Sequence, residues 1–70
     1  MQGGEKMKLD PIKLKLAMAR KEYNAVELAK ITDLSRNTIT GYMNGSRMPR
    51  IELLGKIAKA LDVDPADLVE

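Results

Sequence analysis

The side chains best equipped for chemistry in this sequence are cations, and they are concentrated in one segment. Between Leu34 and Ile51 the chain carries three arginines and no acidic residue. A second group of cations lies near the amino terminus, whereas residues 62–70 hold four acids. Such a distribution can orient a molecule on a polyanion. Charge alone fits an ordinary solvated surface equally well, because the formal net charge is only +2.

The residue types that most often perform catalysis or hold metal ions are missing. The chain has no cysteine and no histidine, which excludes disulfides, thiolate metal sites and imidazole general bases. Asp62, Asp64 and Asp67 lack the spacing and terminal glutamate of a calcium loop, so helix capping explains them better. No phosphate-binding loop, activated nucleophile or catalytic carboxylate pair is recognisable. We therefore expect a binding protein that is not an enzyme and uses no cofactor or metal.

Length and hydropathy indicate one small domain. Seventy residues give a single thin core that must hold by packing alone. No apolar run approaches the roughly 18 residues that a membrane span needs, and residues 1–7 are unlike a secretory signal. We interpret 1–7 as a flexible extension and 8–70 as the domain. We expect a cytoplasmic protein that binds neither membranes nor a small-molecule substrate.

Two predicted helices precede the cationic segment. Asp10 caps the first, and Pro11 fits its first position because the N–H that proline lacks has no partner there. Asn24 begins the second, and Glu27 three residues later completes a capping box. Apolar residues at helical spacing give each helix an inward face. They are Leu14, Ala17 and Met18 in the first helix, and Leu28, Ala29 and Ile31 in the second.

Three further helices complete the predicted fold. Ser35 caps a helix over about 36–43, which Asn44-Gly45 ends. Another helix spans 51–61, and Asp64-Pro65 starts a short closing helix. The inward residues are Ile39, Tyr42 and Met43 in the third helix, and Leu54, Ile57, Ala58 and Leu61 in the fourth. The sequence thus predicts an all-α fold, a compact bundle of five short helices.

Residues 25–43 form the most informative pattern. Two short helices are separated by about three turn residues, and the second helix is polar on its outward side. This is the helix-turn-helix arrangement, in which one helix crosses the DNA backbone and the other enters the major groove. Ala29 must be small where the helices approach each other, and Asp33 tolerates the left-handed conformation of the turn.

The sequence resembles the lambda-repressor-like helix-turn-helix regulators of the Cro/repressor, Xre type. Four blocks in the family's order carry the likeness, which covers about residues 8–68. They are Glu-Leu-Ala-Lys at 27–30, Leu-Ser-Arg-Asn-Thr-Ile-Thr at 34–40, Asn-Gly-Ser-Arg-Met-Pro at 44–49 and Ile-Ala-Lys-Ala-Leu-Asp-Val at 57–63. The resemblance implies a phage or bacterial transcriptional regulator that binds double-stranded DNA sequence-specifically, as a homodimer on a two-fold operator.

The resemblance also implies which residues contact DNA. The helix over 36–43, here called the recognition helix, supplies base contacts, since arginine suits guanine edges and asparagine suits adenine. The base-contacting positions are Arg36, Asn37, Thr38, Thr40 and Gly41. The phosphate-contacting positions flank that helix and begin the one before it. They are Asn24, Ala25, Ser35, Asn44, Ser46, Arg47 and Arg50.

Some positions depart from the family pattern. Met18 and Met43 replace a buried arginine–glutamate pair, and we expect an apolar contact there because neither charge is left alone. Arg50 replaces a capping serine, which predicts a poorly capped fourth helix. Ala25 replaces a glutamine that touches phosphate. Gly41 predicts either a close backbone approach to DNA or simply a loss of helix stability.

Two questions stay open at the level of sequence. The dimer surface is either the carboxyl end, with Val63, Leu68 and Val69, or the stripe of Leu9, Ile12 and Leu16. The function is either DNA binding or protein interaction, as in an adaptor or antitoxin-like module. An adaptor should expose large apolar groups over 36–41, whereas a DNA reader keeps that face polar. A third alternative is a bundle with only non-specific DNA affinity, marked by steep salt dependence.

Overall fold

The computed structural model describes residues 8–70, so the predicted extension 1–7 lies outside the described residues. This part of the chain is all-α, as predicted. It forms α1 (Pro11–Lys21), α2 (Ala25–Thr32), α3 (Arg36–Asn44), α4 (Ile51–Leu61) and a 3-10 helix at Pro65–Leu68. The prediction of five helices is wrong in one respect, because the closing element is a 3-10 turn. The Asp67 N–H donates to the Asp64 carbonyl at 2.8 Å, the three-residue spacing that short terminal turns adopt.

The predicted caps explain where the first three helices begin. The Asp10 carboxylate accepts from the Ile12 N–H at 2.9 Å. The capping box is reciprocal, since the Asn24 amide oxygen accepts from the Glu27 N–H and the Glu27 carboxylate accepts from the Asn24 N–H, both at 2.8 Å. α4 has no side-chain cap at Arg50, as expected. These local bonds satisfy orphan donors of the first turns.

The core lies where the helices meet, and its predicted members are confirmed with one exception. Ile31, predicted inward, is 49% exposed, whereas Thr32 is fully buried. The threonine hydroxyl donates to the Leu28 carbonyl at 2.7 Å, which removes the penalty of burying a polar group. Met18 is buried and Met43 packs half-buried against the same cluster. Met18 therefore belongs to the apolar interior, and Met43 packs against it.

The two ends of the described segment are bonded to each other. Leu9 and Val69 form an isolated antiparallel bridge, and the Asp10 N–H donates to the Leu68 carbonyl at 2.8 Å. Lys13 Nζ also donates to the Val69 carbonyl at 2.8 Å. Leu9 and Leu68 are consequently buried. Both residues therefore drop out of the two predicted dimer surfaces.

Two structural features of other protein classes are missing from residues 8–70. No helix there is long and apolar enough to cross a membrane. Within the same residues, no three acidic, histidine or cysteine side chains lie close enough together to hold a metal ion.

Candidate nucleic-acid interface

The turn between α2 and α3 holds the two helices at a fixed angle. Asp33 ends α2 in the left-handed conformation, with φ of 60°, as the sequence predicts. The chain then folds back so that the Leu34 N–H donates to the Ala29 carbonyl at 2.9 Å. Ala29 is buried and Leu34 packs half-buried against the core. This packing leaves the outward side of α3 free for contact with another molecule.

The exposed side of α3 is polar and cationic. Arg36, Asn37, Thr40 and Asn44 are exposed, whereas Ile39 and Tyr42 point into the core. At about 100° per residue, the four exposed positions share one side of the helix. No large apolar side chain is exposed between residues 36 and 41. Four of the positions predicted from the family pattern are thus available on one surface.

Three side chains form a hydrogen-bonded chain along the start of α3. The Ser35 hydroxyl accepts from the Thr38 N–H at 3.1 Å and lies 2.8 Å from the Thr38 hydroxyl. A guanidinium nitrogen of Arg47 donates to the same threonine hydroxyl at 3.5 Å, the long limit for such a bond. Thr38 therefore links the helix cap to the loop that follows α3. The Ser35 oxygen accepts the capping bond, and its O–H group can still donate to another acceptor.

Gly41 is buried, because the side chain of Arg47 packs over it. A Cβ built on Gly41 would lie 2.6 Å from Cδ and 2.7 Å from Cγ of Arg47. The Arg47 N–H donates to the Gly41 carbonyl at 3.2 Å, which holds the loop against the helix. The sequence did not predict the contact between Gly41 and Arg47, because no local rule relates a glycine in a helix to an arginine six residues later. Base contact by Gly41 itself stays a prediction and requires Arg47 to move.

The remaining loop residues are exposed and organised by short-range bonds. The Asn44 side chain accepts from the Ser46 N–H at 3.0 Å, and the Ser46 hydroxyl donates to the Gly41 carbonyl at 3.4 Å. Gly45 ends α3 with φ of 82°, a conformation that favours glycine. Arg50 is exposed at the start of α4. The loop thus presents two arginines beside the recognition helix.

The start of α2 offers backbone donors rather than side chains. The capping box uses the N–H groups of Asn24 and Glu27. The N–H groups of Ala25 and Val26 have no partner among residues 8–70 and lie at the positive end of the helix dipole. Ala25 therefore has a backbone donor for an anion although it lacks a polar side chain. The backbone N–H of Val26 was not predicted as a candidate phosphate contact. The sequence could have indicated it, because the first N–H groups of any helix have no partner within that helix.

Comparison with known proteins identifies a family and several solved structures that share this fold. A family model described as helix-turn-helix matches residues 14–68. A candidate DNA-binding protein from Bacteroides fragilis is 31% identical, with a TM-score of 0.78 over 83% of this chain and 94% of that one. The restriction-modification controller protein C.AhdI from Aeromonas hydrophila is 26% identical, with a TM-score of 0.77 over 81% and 86%.

Other solved structures share the fold in different settings. SinR, the master regulator for biofilm formation, solved in complex with DNA, has a TM-score of 0.78 at 22% identity, over 83% of this chain and 97% of that one. A variant of hydroxyethylphosphonate dioxygenase has a TM-score of 0.76 at 25% identity over 91% of this chain. The chain spans only 14% of that enzyme's length. Among curated proteins nothing matches.

Proposed function

Because the chain belongs to the lambda-repressor-like (Cro/repressor, Xre-type) helix-turn-helix family, we propose that it binds double-stranded DNA sequence-specifically and regulates transcription. One observation carries the proposal: α3 exposes a polar, cationic side between residues 36 and 41 while Ile39 and Tyr42 are buried. A major groove admits such a helix and presents hydrogen-bonding base edges to it. A binding role of this kind requires no enzymatic activity, and we place the protein in the cytoplasm with the DNA.

Base reading is assigned to the first turns of α3. Arg36 can contact the two acceptors of a guanine edge, and Asn37 can contact adenine. Thr40 is exposed on the same side, whereas Thr38 is half-buried and already bonded to Ser35. We therefore expect Arg36 and Asn37 to carry most of the sequence preference. Thr38 and Thr40 adjust it.

Phosphate contacts fix the register of the domain on the duplex without reading sequence. We assign them to exposed donors on both sides of α3 and to the start of α2. Most of these residues donate through a side-chain hydroxyl, amide or guanidinium group. Ala25 donates through its backbone N–H. The residues are Asn24, Ala25, Ser35, Asn44, Ser46 and Arg50.

A homodimer on a two-fold operator is part of the proposal, because one small domain makes few base contacts. Half-sites would lie about one helical turn apart. Of the predicted dimer surfaces, Ile12 and Leu16 are 64% and 63% exposed, whereas Val63 and Val69 are half-buried. The exposed pair on α1 is the better candidate for contact with a second copy.

Selection from randomised duplex DNA at moderate salt tests the proposal. We expect one enriched motif for the wild-type protein, with symmetry that reports the dimer. The double variant Arg36→Ala/Asn37→Ala should lose the motif while keeping weak, salt-sensitive binding. Gly55→Ala is the matched control, because this glycine lies in α4 with nothing within 4 Å of an added Cβ. No enrichment with the wild-type protein would overturn the proposal.

A protein-interaction module is the second candidate. The observation in its favour is that the same fold makes up 14% of a dioxygenase chain. In that case the wild-type protein would select no DNA motif, and a partner would contact exposed apolar residues such as Ile12 and Leu16. Leu16→Glu would then abolish partner binding, whereas Arg36→Ala would leave it intact.

A further inference from the structure

The outward side of α3 is partly covered by a side chain from the loop that follows it, that of Arg47. At about 100° per residue, Gly41 lies within about 60° of Asn37 and Asn44, which are both exposed. Gly41 is nevertheless buried. Its cover comes from the loop, since the aliphatic stem of Arg47 lies where a side chain at 41 would stand. The arginine thus occupies the outward surface of the recognition helix.

Two further contacts fix the direction of that arginine. Its backbone N–H donates to the Gly41 carbonyl at 3.2 Å, which anchors the base of the side chain next to Gly41. Its guanidinium reaches back to the Thr38 hydroxyl at 3.5 Å. The charged end therefore lies at the first turn of α3, next to the segment that holds Arg36, Asn37 and Thr38.

We propose that Arg47 reads a base edge, with guanine as the preferred partner, and that Gly41 is the positioning residue that lets Arg47 lie on the recognition helix. This inference rests on the proposed DNA-binding function. It departs from the sequence-based interpretation, in which Arg47 contacts phosphate. The amino-terminal residues of a recognition helix face base edges, and Arg47 delivers its guanidinium to that end.

The chemistry at this position favours a base over a phosphate. A stem held along a helix fixes the plane of the guanidinium, and bidentate guanine contacts depend on that plane. Thr38 takes one guanidinium nitrogen, which leaves the other N–H groups for an acceptor pair. Any side chain at residue 41 would force the arginine off the helix, because the nearest Arg47 atoms would be only 2.6–2.7 Å from its Cβ.

The test is selection from randomised duplex DNA, followed by competition binding on the selected duplex and on single-base variants of it. The proteins are wild type, Arg47→Ala, Arg47→Lys and Gly41→Ala, with Arg50→Ala as the loop arginine assigned to phosphate. We expect both Arg47 variants and Gly41→Ala to lose the preference at one G·C pair, by roughly 5- to 100-fold. Arg50→Ala should weaken binding to all duplexes equally.

Gly41→Ala separates positioning from folding. Alanine favours a helix over glycine, so this variant should keep its circular dichroism spectrum and a thermal midpoint no lower than that of the wild type, as Gly55→Ala should, while the base preference is lost. If Arg47→Lys and Arg47→Ala keep the preference at the G·C pair and bind every duplex equally more weakly, the inference is overturned and the proposed function stands. Absence of any motif with wild-type protein would overturn both.

Discussion

Arg36 begins α3 and is exposed, with its side chain free of the core. Its charge attracts any polyanion, but sequence preference depends on the fork of donors that only arginine offers. A lysine at this position keeps the charge and loses the fork. The two contributions can therefore be separated by a single substitution.

We expect Arg36→Lys to lower discrimination at one base pair of the selected site by about 1–3 kcal/mol. Affinity for unrelated duplex DNA should stay within about twofold, because the charge that governs non-specific binding is retained. Competition titrations at fixed salt measure both quantities. A variant that loses affinity equally on all duplexes would assign Arg36 to phosphate instead.

Two glycines predict opposite effects of the same substitution. Gly55 lies inside α4 with open space around it, so Gly55→Ala should raise the free energy of unfolding by about 0.5–1 kcal/mol. Gly45 has φ of 82°, and Gly45→Ala should lower it by about 1 kcal/mol or more. Thermal denaturation measures both, at roughly 4–8 °C per kcal/mol. A stabilising Gly45→Ala would contradict the left-handed cap.

At the scale of elements, the helices begin where short-range chemistry dictates. Asp10, Asn24 and Ser35 were predicted as caps and act as caps, because each bond spans only two or three residues. Burial was less predictable. Positions 25, 28, 29 and 32 of α2 follow helical spacing and face the core. The sequence analysis instead placed Ile31 in the core, because isoleucine is more hydrophobic than threonine. The hydroxyl of Thr32 suits the core because it donates to the carbonyls of Leu28 and Ala29.

Removing the capping box should weaken α2. Asn24→Ala deletes the acceptor for the Glu27 N–H, and the expected loss of stability is about 1 kcal/mol. Urea denaturation followed by circular dichroism measures it. Val26→Ala, on the exposed first turn of the same helix, is the control and should change stability by less than about 0.5 kcal/mol. An equal effect from both variants would show that the box contributes nothing.

Adding a cap to α4 should have the opposite effect. Arg50 occupies the cap position in an extended conformation without a side-chain bond. Arg50→Ser supplies the missing acceptor, with a gain of about 0.5–1 kcal/mol in the free energy of unfolding. The same variant should weaken DNA binding, because it removes a cation from the interface. Arg50→Ala controls for the lost charge and should not be stabilised.

At the scale of the molecule, the cations assigned to DNA contact and the acids of the carboxyl-terminal segment lie in different parts of the sequence. The cations of α3 and its loop lie apart in sequence from the acids of residues 62–70, and the 3-10 helix among those acids packs on α1 and α4. The sequence indicated this separation of charge along the chain, but not the contact between Arg47 and Gly41 or the pairing of residues 8–10 with residues 68–70. Both depend on how distant segments meet, which local periodicity does not encode.

Salt dependence measures how many of these cations neutralise phosphates. The logarithm of the association constant should fall linearly with the logarithm of salt concentration, and Arg50→Ala should reduce the slope by about 0.9. Asp67→Asn changes the net charge by one unit of the opposite sign at the exposed acidic end and should leave the slope unchanged. Equal slopes for wild type and Arg50→Ala would remove Arg50 from the phosphate contacts.

The bridge between Leu9 and Val69 brings the two ends of the described segment side by side. Because Glu70 donates to the Lys8 carbonyl at 2.9 Å, a short linker can join these positions, and new ends can be opened between α1 and α2 without cutting a helix. Circular permutation is tolerated where the two ends of a folded domain lie close together. For the same reason, a host polypeptide can carry this domain as an insertion, with both junctions side by side.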